Sequence, residues 1–242
     1  MQGQRFERLD ALRGLAMLWM TGFHFCFDLV HFGLWRQDFY RDPLWTWQRV
    51  AIVSSFLLCA GLGQGVAVAQ GQSLTRFARR WAQVAAAALL VSVGSWWVFP
   101  QSYIYFGVLH GMAAMLLLLR LGLLRLPTPV LLALALAALL APPLWAAWGT
   151  TALDGRGLNA LGLISRKPVT EDYVPVLPWL SVLLLGFVLA RQGRVRAWLA
   201  APLPRAGHAL AGLGRWSLSY YLLHQPLLMG LLWLVLQLGA RP

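Results

Sequence analysis

Seven apolar stretches, residues 12–33, 50–69, 81–98, 103–119, 130–148, 174–190 and 216–238, take up most of this 242-residue chain. As helices, all seven can cross a hydrocarbon core about 30 Å thick, the fourth and sixth at the short limit. Backbone N–H and C=O groups find no water in hydrocarbon, so such a stretch closes its hydrogen bonds internally. The expected fold is all-α: a polytopic membrane bundle of about seven transmembrane helices, one domain spanning residues 1–242. A hydrophobic content of 59% and a mean hydropathy of +0.63 fit that class and exclude a soluble enzyme.

The formal charge of +12 is spread over short loops between the apolar stretches, which points to membrane orientation and lipid headgroups and away from nucleic acid. Arg5, Arg8 and Arg13, then Arg76, Arg79 and Arg80, then Arg120 and Arg125, then Arg191, Arg194, Arg196, Arg205 and Arg215 fall on one side. They make up thirteen of the 20 cations. The positive-inside rule puts that side in the cytoplasm, with the N-terminus inside and the C-terminus outside. On the other side lie Arg36, Asp38, Arg41 and Asp42, and a loop over residues 149–173 whose charges nearly cancel. Many of the thirteen Trp, among them Trp35, Trp45, Trp97 and Trp148, sit near span ends, as an interfacial belt requires. Cys26 and Cys59 fall inside spans, where a thiol packs as a small apolar group, and they supply neither a disulfide framework nor zinc spacing. The first residues lack a cleavable signal pattern, so the first span is expected to be retained.

Polar residues inside spans single out the chemistry. The first span, RGLAMLWMTGFHFCFD over residues 13–28, opens on Arg13 and carries His24 and Asp28 one turn apart on one face. Arg13 and His24 are separated by roughly 16 Å of helix, which sets a cation at the interface and an imidazole near the midplane. An intramembrane carboxylate costs about 2.5–3.5 kcal/mol on insertion scales and therefore faces a bundle interior. Asp28 is expected to orient His24. His110 in YIYFGVLHGM and His224 in SLSYYLLHQP also lie inside spans. Helical rise puts His224, His24 and His110 at roughly 12, 16 and 20 Å from the inner interface, so one polar cavity is expected to hold all three. Neutral imidazole suits proton transfer near pH 7. No pair of ligands at helical spacing supports a metal, and none is expected.

Ser217, Tyr220, Tyr221 and His224 share a face of the seventh span, and Gln225 and Pro226 follow. Pro226 is expected to kink that helix. Asp172 is expected to cap the sixth span, and with Tyr173 to border an outward entrance. GLGQG over residues 61–65 reads as close helix packing, because no strand precedes it. The stretch 130–140 carries no polar side chain and reads as lipid-facing.

The blocks LDALRGLAMLWMTGFHFCFDL, DFYRDPLWTWQRVAIVSSFLLCAGLG, YFGVLHG, DYVPVLPWLSVLLLGFVLAR and GRWSLSYYLLHQPLL, in that order, touch five of the seven spans. They resemble the compact bacterial branch of the heparan-α-glucosaminide N-acetyltransferase catalytic-domain family. Arg13, ten residues and His24 also match the Arg/Lys-X10-His pattern of the wider transmembrane acyltransferase superfamily. The resemblance implies a multi-pass acetyltransferase of the bacterial inner membrane, with cytoplasmic acetyl-CoA as co-substrate and an extracytoplasmic sugar or glycolipid as acceptor. It implies His24 as the essential histidine, with Asp28, His110 and His224 as further catalytic candidates. Arg13, Arg79 and Arg80 are implied contacts for CoA phosphates, and Asp172, Tyr173, Tyr221 and Gln225 for the acceptor. The lysosomal member carries Asn-Tyr near the position of His24 and a separate His-X-X-Trp-Asn-Gly block, whereas the segment VHFGLWRQDF contains His31 but no Trp-Asn-Gly, so His31 takes no assigned role. A small-solute transporter and a noncatalytic membrane assembly protein are the alternatives, and a homo-oligomer is compatible with all three. The transporter lacks support from an inverted repeat or paired broken helices.

Overall fold

The computed structural model describes residues 5–239. Among them are nine α-helices: α1 (Glu7–His31), α2 (Pro43–Ala69), α3 (Leu74–Val98), α4 (Val108–Leu118), α5 (Thr128–Ala147), α6 (Val176–Arg191), α7 (Gly193–Ala200), α8 (His208–Arg215) and α9 (Ser217–Gly239). Phe106 and Tyr173 form an isolated parallel bridge, and no β-strand is found among the described residues. The expectation of an all-helical membrane fold is met.

All seven expected spans contain a helix, but the helices differ in their fitness to cross. By length and composition α2, α3, α5 and α9 are long and apolar enough, and α6 with α7 makes a fifth candidate broken by an 84° bend. The helical part of the fourth stretch starts at Val108, since residues before it run extended to the bridge at Phe106. A π-helical turn, Leu119–Leu123, continues α4. The helices α7 and α8 lie in segments expected to be loops. Pro226 sits inside α9, which continues through it as one helix.

The chain forms two compact units. The terminal unit joins residues 5–56 to residues 199–239, and the central unit is Leu57–Trp198.

In the terminal unit, α1 packs on α8 and α9. The α1–α8 contact depends on missing side chains. A Cβ on Gly14 would strike the backbone of Leu210, and one on Gly214 would strike the carbonyl of Asp10. Small residues let helix backbones come this close, as in many membrane helix pairs. Asp10, 4% exposed beside this junction, receives Arg5 at 2.7 Å and Arg13 at 3.2 Å. Glu7 meets Arg215 at 3.1 Å, and both Nε and Nη2 of Arg8 donate to the Pro202 carbonyl. Farther along α1, Phe23 and Phe27 stand edge-on to Phe39, which stacks on Trp45 with centroids 4.1 Å apart.

In the central unit, α2 and α6 approach closely at Gly61, Gly65 and Gly186, where an added Cβ would meet Leu183, Ala190 and Leu58. The packing role expected for GLGQG is realised. The helix α5 packs on α6 through Leu131 and Ala138, while Leu132, Leu136, Leu139 and Leu140 stay exposed as a lipid-facing side requires. Two arginines of the cationic loops close helix ends. Arg191 donates to the carbonyls of Leu124 and Leu126 and lies 4.8 Å from the Phe187 ring centroid. Arg120 donates to the Gln72 carbonyl and lies over Phe77.

Candidate active site

Thr21, His24 and Asp28 lie on one face of α1 at steps of three and four residues, and Tyr220, His224 and Gln225 meet them from α9. The acceptors settle most of the hydrogens. Thr21 donates to the Met17 carbonyl at 2.8 Å, so its oxygen accepts from the Tyr220 hydroxyl at 2.7 Å. The Tyr221 carbonyl, which can only accept, lies 2.7 Å from His224 Nδ1, so that nitrogen carries a hydrogen. In the neutral ring His224 Nε2 is then an acceptor, and its partner at 2.7 Å, His24 Nδ1, is the donor. His24 Nε2 is left with a lone pair and no partner among the described residues. His224 is buried, 6% exposed, and Tyr220 stacks on it nearly parallel, 6° between planes and 5.9 Å between centroids.

The expected orienter of His24 is thus replaced. Asp28 is fully buried and accepts from Gln225 Nε2 at 2.5 Å, while the partner of His24 is His224. Helical spacing brought Asp28 to the right face, but the neighbouring helix supplies a donor to one group and an acceptor to the other. Asp28 Oδ2 and Gln225 Oε1 are buried with no hydrogen-bond partner among the described residues.

His110 belongs to the central unit, where its ring is fully engaged. It occupies the first turn of α4, since that helix begins at Val108. Ser92 donates to the Ile104 carbonyl at 2.7 Å, so its oxygen accepts from His110 Nε2 at 3.0 Å. His110 Nδ1 accepts from the Gly107 N–H at 3.3 Å. Nδ1 thus serves the start of α4 and Nε2 the hydroxyl of Ser92 on α3, which leaves no lone pair for a reacting group. His110→Ala is expected to destabilise the protein by about 1–3 kcal/mol, the cost of buried groups left unsatisfied. Transfer by the folded fraction should persist, and thermal unfolding paired with an activity assay checks both parts.

The other expected site residues are placed as follows. Arg13 is about one-third exposed (31%) and paired to Asp10. Arg79 and Arg80 lie exposed on the first turns of α3, with no acidic partner among the described residues. Asp172 caps α4, not α6: its Oδ2 accepts from Val108 N–H at 2.7 Å, and α6 is preceded instead by Pro175. A Cβ on Gly107 would meet that carboxylate and the Ile104 side chain, so a larger residue there displaces the cap. Tyr173 donates to the Asn159 carbonyl at 2.6 Å. Burial, then Tyr105 and Asp154 nearby, raise its hydroxyl above the ordinary tyrosine range, so it stays a neutral donor. Asn159 in turn donates to Tyr105, and Arg156 lies 5.6 Å from the rings of both Tyr103 and Tyr105. Ser165 closes the same loop by two hydrogen bonds to Asp154, which lower that carboxyl below its usual range. Tyr221 contributes through its carbonyl, and Gln225 through its amide. Thr21 was not expected in the site. A single threonine in an apolar span gives little signal until its partner helix is known.

No curated protein and no solved structure matches this chain. The family model for heparan-alpha-glucosaminide N-acetyltransferase, catalytic, matches residues 5–226, from the start of α1 to just beyond the His224–Gln225 pair. The chain belongs to that family of membrane acetyltransferases.

Proposed function

We propose that this protein moves an acetyl group from cytoplasmic acetyl-CoA to an amine or hydroxyl of an extracytoplasmic sugar or glycolipid, in a bacterial inner membrane. The observation that carries the reading is the lone pair on His24 Nε2, held on a half-buried ring whose other nitrogen is fixed. Among His24, His110 and His224 it alone has a ring nitrogen without a partner. A base so placed removes the acceptor's proton as the acceptor attacks the thioester carbonyl. The carbon–sulfur bond then breaks, and His24 returns the proton to the CoA thiolate. Atoms and charge balance without a metal or redox partner.

The supporting groups follow from the same helices. Asp28 Oδ2, one turn from His24, and Gln225 Oε1 beside it on α9 are buried acceptor atoms that suit the N–H or O–H groups of an acceptor. Arg13, at the other end of α1, is suited to CoA phosphate, and in the central unit Arg79 and Arg80 carry exposed charge of the same kind. In the central unit, Asp172 and Tyr173 hold the backbone of Val108 and Asn159 in place. The cation asymmetry favours the N-terminus inside and residues 149–173 outside.

The test uses purified protein in liposomes, with labelled acetyl-CoA on one face and glucosamine or glucose on the other. Transfer of label across the bilayer to either sugar supports the reading. No transfer and no hydrolysis, together with flux of an unmodified solute, would replace it with a transporter.

A further inference from the structure

We propose that His24 and His224 act as one two-ring proton acceptor, in which the proton taken at His24 Nε2 is shared with His224 through the bond between the rings. This rests on His24 being the base of acyl transfer and adds where the charge goes. Oriented imidazole bases commonly lean on a carboxylate, which stabilises the imidazolium that forms. Here a second imidazole holds that place, and the carboxylate one turn away is bound to Gln225.

The geometry fits sharing better than orientation alone. The two nitrogens are 2.7 Å apart and the ring planes are within 12° of each other, so the hydrogen lies between like groups of matched intrinsic basicity. When His24 Nε2 gains a proton, its Nδ1 hydrogen can pass to His224 Nε2. His24 is then neutral with the new hydrogen at Nε2, and His224 is the cation. That cation keeps its Nδ1–H on the Tyr221 carbonyl and its face on the Tyr220 ring. Reversal returns the proton through His24 Nε2 to the thiolate, so no external donor is consumed. The hydroxyl of Tyr220 is tied to Thr21, which keeps the stacked ring in place. The other ionisable side chains on these faces are Asp28 and His31 on α1 and Tyr220 and Tyr221 on α9. On α8, His208 and Arg215 pair with Glu7 at the far end of α1.

The experiment follows ¹⁵N-histidine resonances of the full-length protein in lipid nanodiscs during acid titration, beside single-turnover transfer from labelled acetyl-CoA to glucosamine. His224→Gln preserves an acceptor for His24 Nδ1–H, and hence the tautomer, but cannot take a proton. In the wild type, the nitrogens of both rings should shift together with one midpoint. In His224→Gln, His24 should shift alone and transfer should be slowed about 10- to 100-fold, part of the range of acid–base catalysis. His224→Ala, which also loses the tautomer, should be at least as slow. Wild-type transfer by folded His224→Gln overturns the proposal, as does a wild-type titration that moves His24 alone. If both rings titrate together but no label moves to any sugar, the transferase reading fails while the shared proton stands.

Discussion

Replacing His24 by alanine is expected to slow acetyl transfer by about 10²- to 10⁴-fold, the range a positioned general base contributes. The variant removes the ring nitrogen that has no partner and leaves His224 Nε2 facing the gap from α9. That lone pair belongs to a ring tied to the Tyr221 carbonyl and cannot move into the lost position without breaking its own bond. Donor binding should change little, because Arg13 is roughly 16 Å away along α1. The loss should therefore appear in kcat, whereas Arg13→Ala should chiefly raise KM for acetyl-CoA. Steady-state kinetics of the two variants, with circular dichroism as a check on folding, separates these roles. Full activity in folded His24→Ala would take the imidazole out of the mechanism.

A second large effect, on stability, is expected at Gly214. Its hydrogen faces the carbonyl of Asp10 and the backbone nitrogen of Gly14, so a methyl group there collides with main chain that has no rotamer to change. Gly214→Ala is expected to cost about 1–3 kcal/mol as an overpacked contact, and Gly214→Leu to separate α8 from α1. Gly212, on the same short helix, has open space where its Cβ would be, so Gly212→Ala should be neutral or slightly stabilising. Unfolding in mild detergent compares the pair directly. Equal effects from both variants would mean that the close α1 contact does not set the stability of this region.

The long helices were legible because an apolar run of this length has few alternatives in either water or lipid. That His24 and Asp28 must find partners was legible because polar groups in such a run are costly alone. Which partners they choose was not legible. Spacing along one helix shows that Asp28 is near His24, but it carries no information on which residue of α9 arrives between them. His110 shows a different limit. Its expected depth assumed a helix from residue 103, but the segment up to Phe106 is extended and paired with Tyr173, so the histidine falls at a helix start and caps it. The short α8 was missed because eight residues with two glycines carry little helical signal apart from the α1 surface that holds them. The cationic loops pointed to orientation, yet Arg120 and Arg191 also close helix ends through backbone carbonyls, a task that charge counting does not reveal.

The pairing of His24 with His224 joins residues 200 positions apart. At a ribosome's roughly 5–20 residues per second, α1 waits on the order of 10–40 s before the ring that fixes its histidine has been made. Asp28 waits as long for Gln225. During that interval the imidazole and the carboxylate of α1 have no partner from α9. A nascent chain halted before residue 224 is therefore expected to expose both groups unpaired and to be degraded faster than the full-length chain, which a pulse–chase comparison checks.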